Sequence, residues 1–188
     1  MKTISLALSR REALWRTIAA VITFAAVTAL TARITIFLPL TPVPITLQTL
    51  AVVLSGLVLG ARGGALAQLV YLGLLAAGLP VDAKGLGPAA LFGPTAGYLL
   101  GFVPAAFVTG WLAERLTRPR WGGHFVAALA GMMMIYLVGA SWLAAMLGSW
   151  QQAWVLGVVP FILGDLLKAI LAAGVAESGR LLFGVWHK

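Results

Sequence analysis

Apolar residues run through this chain in six stretches, at about 15–38, 45–59, 64–77, 95–113, 125–147 and 153–176, divided by polar, proline-rich or glycine-rich breaks. A hydrocarbon core ~30 Å thick takes about 20 helical residues to cross. The first, fourth, fifth and sixth stretches are long enough; the second and third are short. Gly60-Ala61-Arg62-Gly63-Gly64 reads as a tight polar turn between those two. That favours two short tilted spans over a buried hairpin or re-entrant pair. The expected fold is an all-α integral membrane protein with six transmembrane helices, a single transmembrane domain over 1–188. Only 10% of residues are charged and 61% are hydrophobic, whereas a soluble domain carries roughly a quarter charged residues.

The cations set the expected orientation. Lys2, Arg10, Arg11, Arg16, Arg62, Arg115, Arg118, Arg120, Arg180 and Lys188 fall on one side, and only Arg33 and Lys84 on the other. Both termini are therefore expected in the cytoplasm, with Met1–Arg11 as a retained tail too polar for a signal h-region. In a bacterium the membrane would be the inner one. The net charge of +8 is explained by these span-end cations, so no nucleic-acid partner is expected. The chain has no Cys, which removes disulfides, thiolate metal sites and Cys nucleophiles. His124 and His187 form no HxxxH or HExxH pattern. Neither a metal nor a cofactor is expected, nor is enzymatic activity. A GxxxxGK[ST] phosphate loop is also missing, so any ATP-driven step must come from a partner.

Asp165 and Lys168 lie inside the last apolar stretch. An ionised group in hydrocarbon costs at least about 2.5 kcal/mol, so such a pair must face protein or water. At i,i+3 the two side chains share a helix face. They either pair to stabilise insertion or grip a polar ligand. The loop Gly78–Pro94, between the third and fourth spans, is the longest on the outer side and holds the apolar cluster Leu91-Phe92. It can lie back over the helices as a lid, or be a flexible connector.

Three motifs then carry a resemblance: PVPITLQTL at Pro42–Leu50, GLPV at Gly78–Val81 and LFGPTAGYLLGF at Leu91–Phe102. With the D-x-x-K pair at Asp165 and Lys168, they resemble the BioY family, the biotin-binding S components of energy-coupling-factor vitamin transporters. The resemblance covers nearly the whole chain. It has two departures: Ala96 stands where the family has the first of two paired glycines, and Asp82-Ala83-Lys84 follows GLPV.

The resemblance implies that biotin is bound and taken up, together with a transmembrane coupling subunit and two ATPase subunits. It implies that Asp165 and Lys168 contact the ligand. A carboxylate can accept from a ureido N–H, and an ammonium can donate to the ureido carbonyl, as strong charge-assisted bonds. Gln48, one turn into the second span, offers both donor and acceptor, or simply bridges helices. Phe92, Tyr98, Tyr136 and Trp142 are candidate apolar walls, each equally suited to core or interface. Lys84 is the candidate for the ligand carboxylate. Trp15, Trp111, Trp121, Trp154 and Trp186 read as interfacial anchors. Small residues at Ala25 and Ala29, extended by Thr28 and Ala32, form a smooth stripe that suits packing within the protein. The resemblance makes it the face that docks on the coupling subunit. The rival readings are a proton-coupled transporter or channel with Asp165 as relay, and an assembly subunit without ligand.

Overall fold

The protein is described by a computed structural model that covers residues 2–116 and 121–183, with side chains for 11–116 and 121–179. Arg118, Arg120, Trp186, His187 and Lys188 lie outside the described residues, and the side chains of Lys2, Arg10 and Arg180 outside the described side chains. The order is α1 (Lys2–Thr31), β1 (Thr35–Ile36), β2 (Ile45–Thr46), α2 (Gln48–Ala76), a 3₁₀ turn (Gly87–Leu91), α3 (Ala96–Arg115), α4 (Trp121–Leu147), α5 (Trp150–Gly157), a second 3₁₀ turn (Val159–Phe161) and α6 (Ile162–Phe183). Among the described residues, five helical stretches are long and apolar enough to cross a membrane. The chain is a multi-pass membrane protein.

α2 is one stretch along the chain but doubles back on itself. Gly60 has φ 74° and ψ −179° in its middle, a left-handed backbone that glycine alone adopts without strain. Gln48 and Tyr71 are hydrogen-bonded at 2.8 Å, although 23 residues of straight helix would hold them about 34 Å apart. A Cβ on Gly64 would lie 2.8 Å from the Gly56 Cα, so the two arms touch backbone to backbone. The expected five-residue turn is thus one residue, with helix resuming at Ala61. Glu114 seals the reversal by accepting the Ala61 N–H at 2.9 Å.

α3 packs between α2 and α4, and α1 lies against α2. Glycines set the spacing: Gly110 faces the backbone of Gly60 and Ala61 within 3 Å of where its Cβ would be, and Gly131 faces Ala105 and Thr109. Such close approach replaces the hydrophobic drive that lipid does not supply between helices. Large apolar side chains such as Leu14, Leu69, Met133 and Leu163 point outward, where they meet acyl chains. Trp15, Trp111, Trp121 and Trp154 are also exposed.

Three expected boundaries are corrected. The first helix stops at Thr31, not Leu38, because the chain turns into β1, which pairs antiparallel with β2 (Thr35 opposite Thr46). α2 therefore begins at Gln48, which opens the helix and is not one turn into it. The last apolar stretch is broken at Val158 (φ −124°, ψ −57°), since Pro160 has no N–H to continue the ladder.

The small-residue stripe is also corrected. Ala25 is 1% exposed, and Thr28 and Ala32 are fully buried, with Ala29 packed against the same core cluster. Ala25, Thr28 and Ala32 on this face of α1 are covered by the protein's own helices, and Ala29 is half-buried. Gly110→Ala should lower the unfolding midpoint in detergent by an amount equivalent to about 1–3 kcal/mol, the usual cost of overpacking. Gly122→Ala, with nothing within 4 Å, should leave it unchanged.

Candidate ligand-binding site

The break before α6 is what positions the site. Without the Pro160 N–H, the Leu156 carbonyl loses its helical donor, and the Thr41 hydroxyl supplies one at 2.6 Å. The Phe161 N–H turns to Val158, which frees the Gly157 carbonyl for the Tyr98 hydroxyl at 2.9 Å. Broken helices are tolerated in membranes when side chains re-satisfy the freed groups in this way. A new helix then starts, with Asp165 in its first turn, where the N-terminal dipole favours a carboxylate.

Asp165 and Lys168 are 4% and 9% exposed and form an ion pair at 2.7 Å. Each is bonded further. Asp165 Oδ1 also accepts from the Thr49 hydroxyl at 3.0 Å, and Oδ2 accepts from the Tyr136 hydroxyl at 2.6 Å. Lys168 Nζ donates to Asp165 Oδ1, to the Thr46 carbonyl at 2.8 Å and to Thr49 Oγ1 at 3.0 Å. An ammonium has three N–H donors, so all three are engaged. The carboxylate has about four lone-pair sites. Three are engaged, leaving one on Oδ2.

This pair lines a partly open cavity. Tyr98, Leu99, Phe102, Ile135 and Phe161 supply apolar wall, and Gln48 and Thr95 polar wall. Asp82, Ala83 and Lys84 reach it from the long loop between α2 and α3, and Val43 and Pro44 from the proline-rich one. Lys84 Nζ donates to the Pro42 carbonyl at 3.2 Å, and the Arg33 guanidinium donates to the Pro80 carbonyl. The two loops are thereby tied together and to the end of α1.

Of the residues anticipated, Gln48, Lys84, Tyr98, Tyr136, Asp165 and Lys168 meet around this one cavity. Phe92 does not: it is 77% exposed, carried outward by the 3₁₀ turn that precedes it. Trp142 does not either. Its indole N–H donates to the Gly93 carbonyl at 3.0 Å, so it props the loop from behind. Thr46, Thr49, Asp82 and Phe161 were not anticipated. The two threonines sit on either side of Gln48 within PVPITLQTL, Thr46 two residues before it and Thr49 one after. Asp82 accepts the backbone N–H groups of Lys84 at 3.0 Å and Gly87 at 2.9 Å. It organises the loop that presents Lys84.

The profile of the BioY family matches residues 3–184. The chain belongs to the BioY family. It is 45% identical over 140 residues to the biotin transporter BioY of Rhizobium etli, covering 70% of this chain and 75% of that one. It is 44% identical over 142 residues to the biotin transporter BioY of Thermotoga maritima, covering 75% and 83%. A solved structure, the S-component for biotin from an ECF-type ABC transporter, superposes with a TM-score of 0.85 at 27% identity. That match covers 94% of this chain and 98% of the other.

Removing one partner of a buried ion pair leaves an uncompensated charge, which costs about 3–5 kcal/mol. Lys168→Met alone should therefore lower stability in detergent by that order. The double variant Asp165→Leu/Lys168→Met should recover most of the loss, as read from unfolding midpoints.

Proposed function

We propose that this chain is the substrate-specificity subunit of an energy-coupling-factor transporter and captures biotin from the outer side of the inner membrane. The observation that carries the reading is the buried Asp165–Lys168 pair on the wall of a largely apolar cavity with Lys84 at its mouth, in a chain whose relatives are named biotin transporters. Biotin carries a ureido ring with two N–H donors and one carbonyl, an apolar thioether ring and a valerate carboxylate. The one unused acceptor position on Asp165 Oδ2 takes a ureido N–H. Lys168 reaches the ureido carbonyl by releasing the Thr46 carbonyl or Thr49, since it has no spare N–H. Tyr98, Phe102 and Phe161 enclose the thioether ring. Lys84 has one N–H on Pro42 and two left for the valerate carboxylate.

The membrane topology that goes with this reading has six crossings and cytoplasmic termini, with the arms of α2 as two short crossings. Arg62 and Arg115 support it at the Gly60 end, held together by the Glu114–Ala61 bond. Arg33 and Lys84 lie at the opposite end. The energy comes from a coupling membrane subunit with two ATPases. Because Ala25 and Ala29 face inward, the smooth surface available to that subunit is the opposite side of α1, where Ala19, Thr23 and Ala26 are exposed.

Calorimetry on the purified protein tests the ligand. The wild type should bind biotin, and Asp165→Asn should weaken binding by about 2–4 kcal/mol, the usual effect of altering a buried charged hydrogen bond. A wild-type protein that gives no binding to biotin ends the reading. Lys84→Ala should reduce affinity for biotin but not for biotin amide, which has no carboxylate to lose. Ala26→Trp should bind biotin normally yet fail to co-purify with the coupling subunit, because a ring on the exposed stripe holds helices apart. Co-purification at the wild-type level places the docking face elsewhere.

A further inference from the structure

Five polar side chains lie within the apolar bundle behind the cavity: Thr28, Gln48, Ser55, Gln68 and Tyr71, each 2% exposed or less. Only Gln48 also lines the cavity. Its amide nitrogen donates to the Tyr71 hydroxyl at 2.8 Å and to the Thr28 carbonyl at 3.3 Å. A primary amide has two N–H donors, so both are held by the protein. The reverse orientation would set the amide oxygen against the Thr28 carbonyl oxygen, acceptor facing acceptor. The Tyr71 hydroxyl has one proton, which goes to the Val81 carbonyl at 3.3 Å. Tyr71 can therefore only accept from Gln48. Thr28 is held from its other side as well, where Gln68 Nε2 contacts its hydroxyl at 3.3 Å and that of Ser55 at 3.0 Å.

We propose that Tyr71 is a positioning residue that locks the Gln48 amide with its oxygen toward the cavity, making Gln48 an acceptor for a ligand N–H. This rests on the biotin reading and deepens it. Gln48 Oε1 and the free position on Asp165 Oδ2 are then two acceptors for the two ureido N–H groups. A ligand with a single N–H leaves one buried acceptor unpaired, which is how a polar site rejects a near-isostere. The Val81 carbonyl takes the one hydroxyl proton at 3.3 Å, which leaves the Tyr71 oxygen free to act on Gln48 as an acceptor. Gln48 accepts at most a weak contact from Thr46 Oγ1, at 3.4 Å, so its oxygen is open to the ligand.

The test is a binding cycle on the detergent-purified chain with wild type, Tyr71→Phe, Gln48→Met and the double variant. The ligands are biotin, biotin amide and the two analogues in which one or other ureido N–H is CH₂. Tyr71→Phe keeps the ring and should raise the biotin dissociation constant about tenfold, equivalent to about 1.4 kcal/mol. It should narrow the discrimination against one CH₂ analogue while leaving the ratio of biotin to biotin amide unchanged. Gln48→Met should abolish the same discrimination, and the double variant should lose no more than Gln48→Met alone. Losses that multiply in the double variant would show Tyr71 acting independently of Gln48 and overturn the proposal. So would unchanged discrimination in Gln48→Met, an outcome that does not require Tyr71→Phe to fold. A wild type without biotin affinity removes the biotin reading and this one together; tight wild-type binding with a failed cycle removes this one alone.

Discussion

A carboxylate and an ammonium so largely enclosed in an apolar bundle must neutralise each other and find protein partners for their donors, because little of either is exposed. Meeting that demand at Asp165 and Lys168 draws several segments to one point. β2 contributes the Thr46 carbonyl, α2 the Thr49 hydroxyl and α4 the Tyr136 hydroxyl. All three lie far from the pair in sequence: the closest, Tyr136, is 29 residues from Asp165. The site is in this sense the point at which the fold is closed, and a substitution there acts on stability and recognition together. This is why the two have to be measured separately.

The irregular backbone around the pair follows the same logic. A continuous helix through 150–183 would bond its own carbonyls and leave Thr41 and Tyr98 without those partners. Pro160 opens the ladder, and the two hydroxyls fill it from a loop and from α3. The break therefore ties the proline-rich loop and α3 to the end of α5, just before α6 begins. Gly60 does comparable work at the other end. One residue in the left-handed region reverses α2 and lets Gly56 and Gly64 bring its arms into contact. That contact sets Gln48 beside Tyr71.

How much was legible in the sequence depended on whether the signal was local. The ion pair and the Gly60 reversal were legible because a charge in hydrocarbon and a glycine cluster between apolar runs have few physical explanations. The end of α1 was not, since Ala32 to Leu38 is as apolar as the helix before it and only its pairing with β2 stops it. Pro160 was visible but lies in a run apolar enough to hide the break. The facing of α1 could not be read at all. In a membrane both the lipid side and the protein side are apolar, and α1 has small residues on each: Ala25, Thr28 and Ala32 inward, Ala19, Thr23 and Ala26 outward. Phe92 and Trp142 were misplaced for a related reason, because an aromatic beside a loop suits a wall, a prop or a lipid contact equally well.

The hydrogen-bond inventory of the cavity has a consequence for how a ligand enters it. Every N–H of Lys168 is engaged, and Asp165 has one position left. A ligand acceptor can reach Lys168 only by exchange, since one of Thr46 O, Thr49 Oγ1 and Asp165 Oδ1 must let go. Releasing Asp165 would break the ion pair, the most expensive of the three, and Thr49 is shared with Asp165 itself. The Thr46 carbonyl is the partner whose loss leaves the charge pair intact. It belongs to the two-residue ladder that joins β1 to β2, and the same strand leads directly into Gln48. Exchange at Lys168 therefore loosens the segment that carries the other polar wall of the cavity. The net affinity of such a site is the difference between two similar sets of hydrogen bonds. Discrimination between ligands then rests on which of them restores every partner that the exchange displaced.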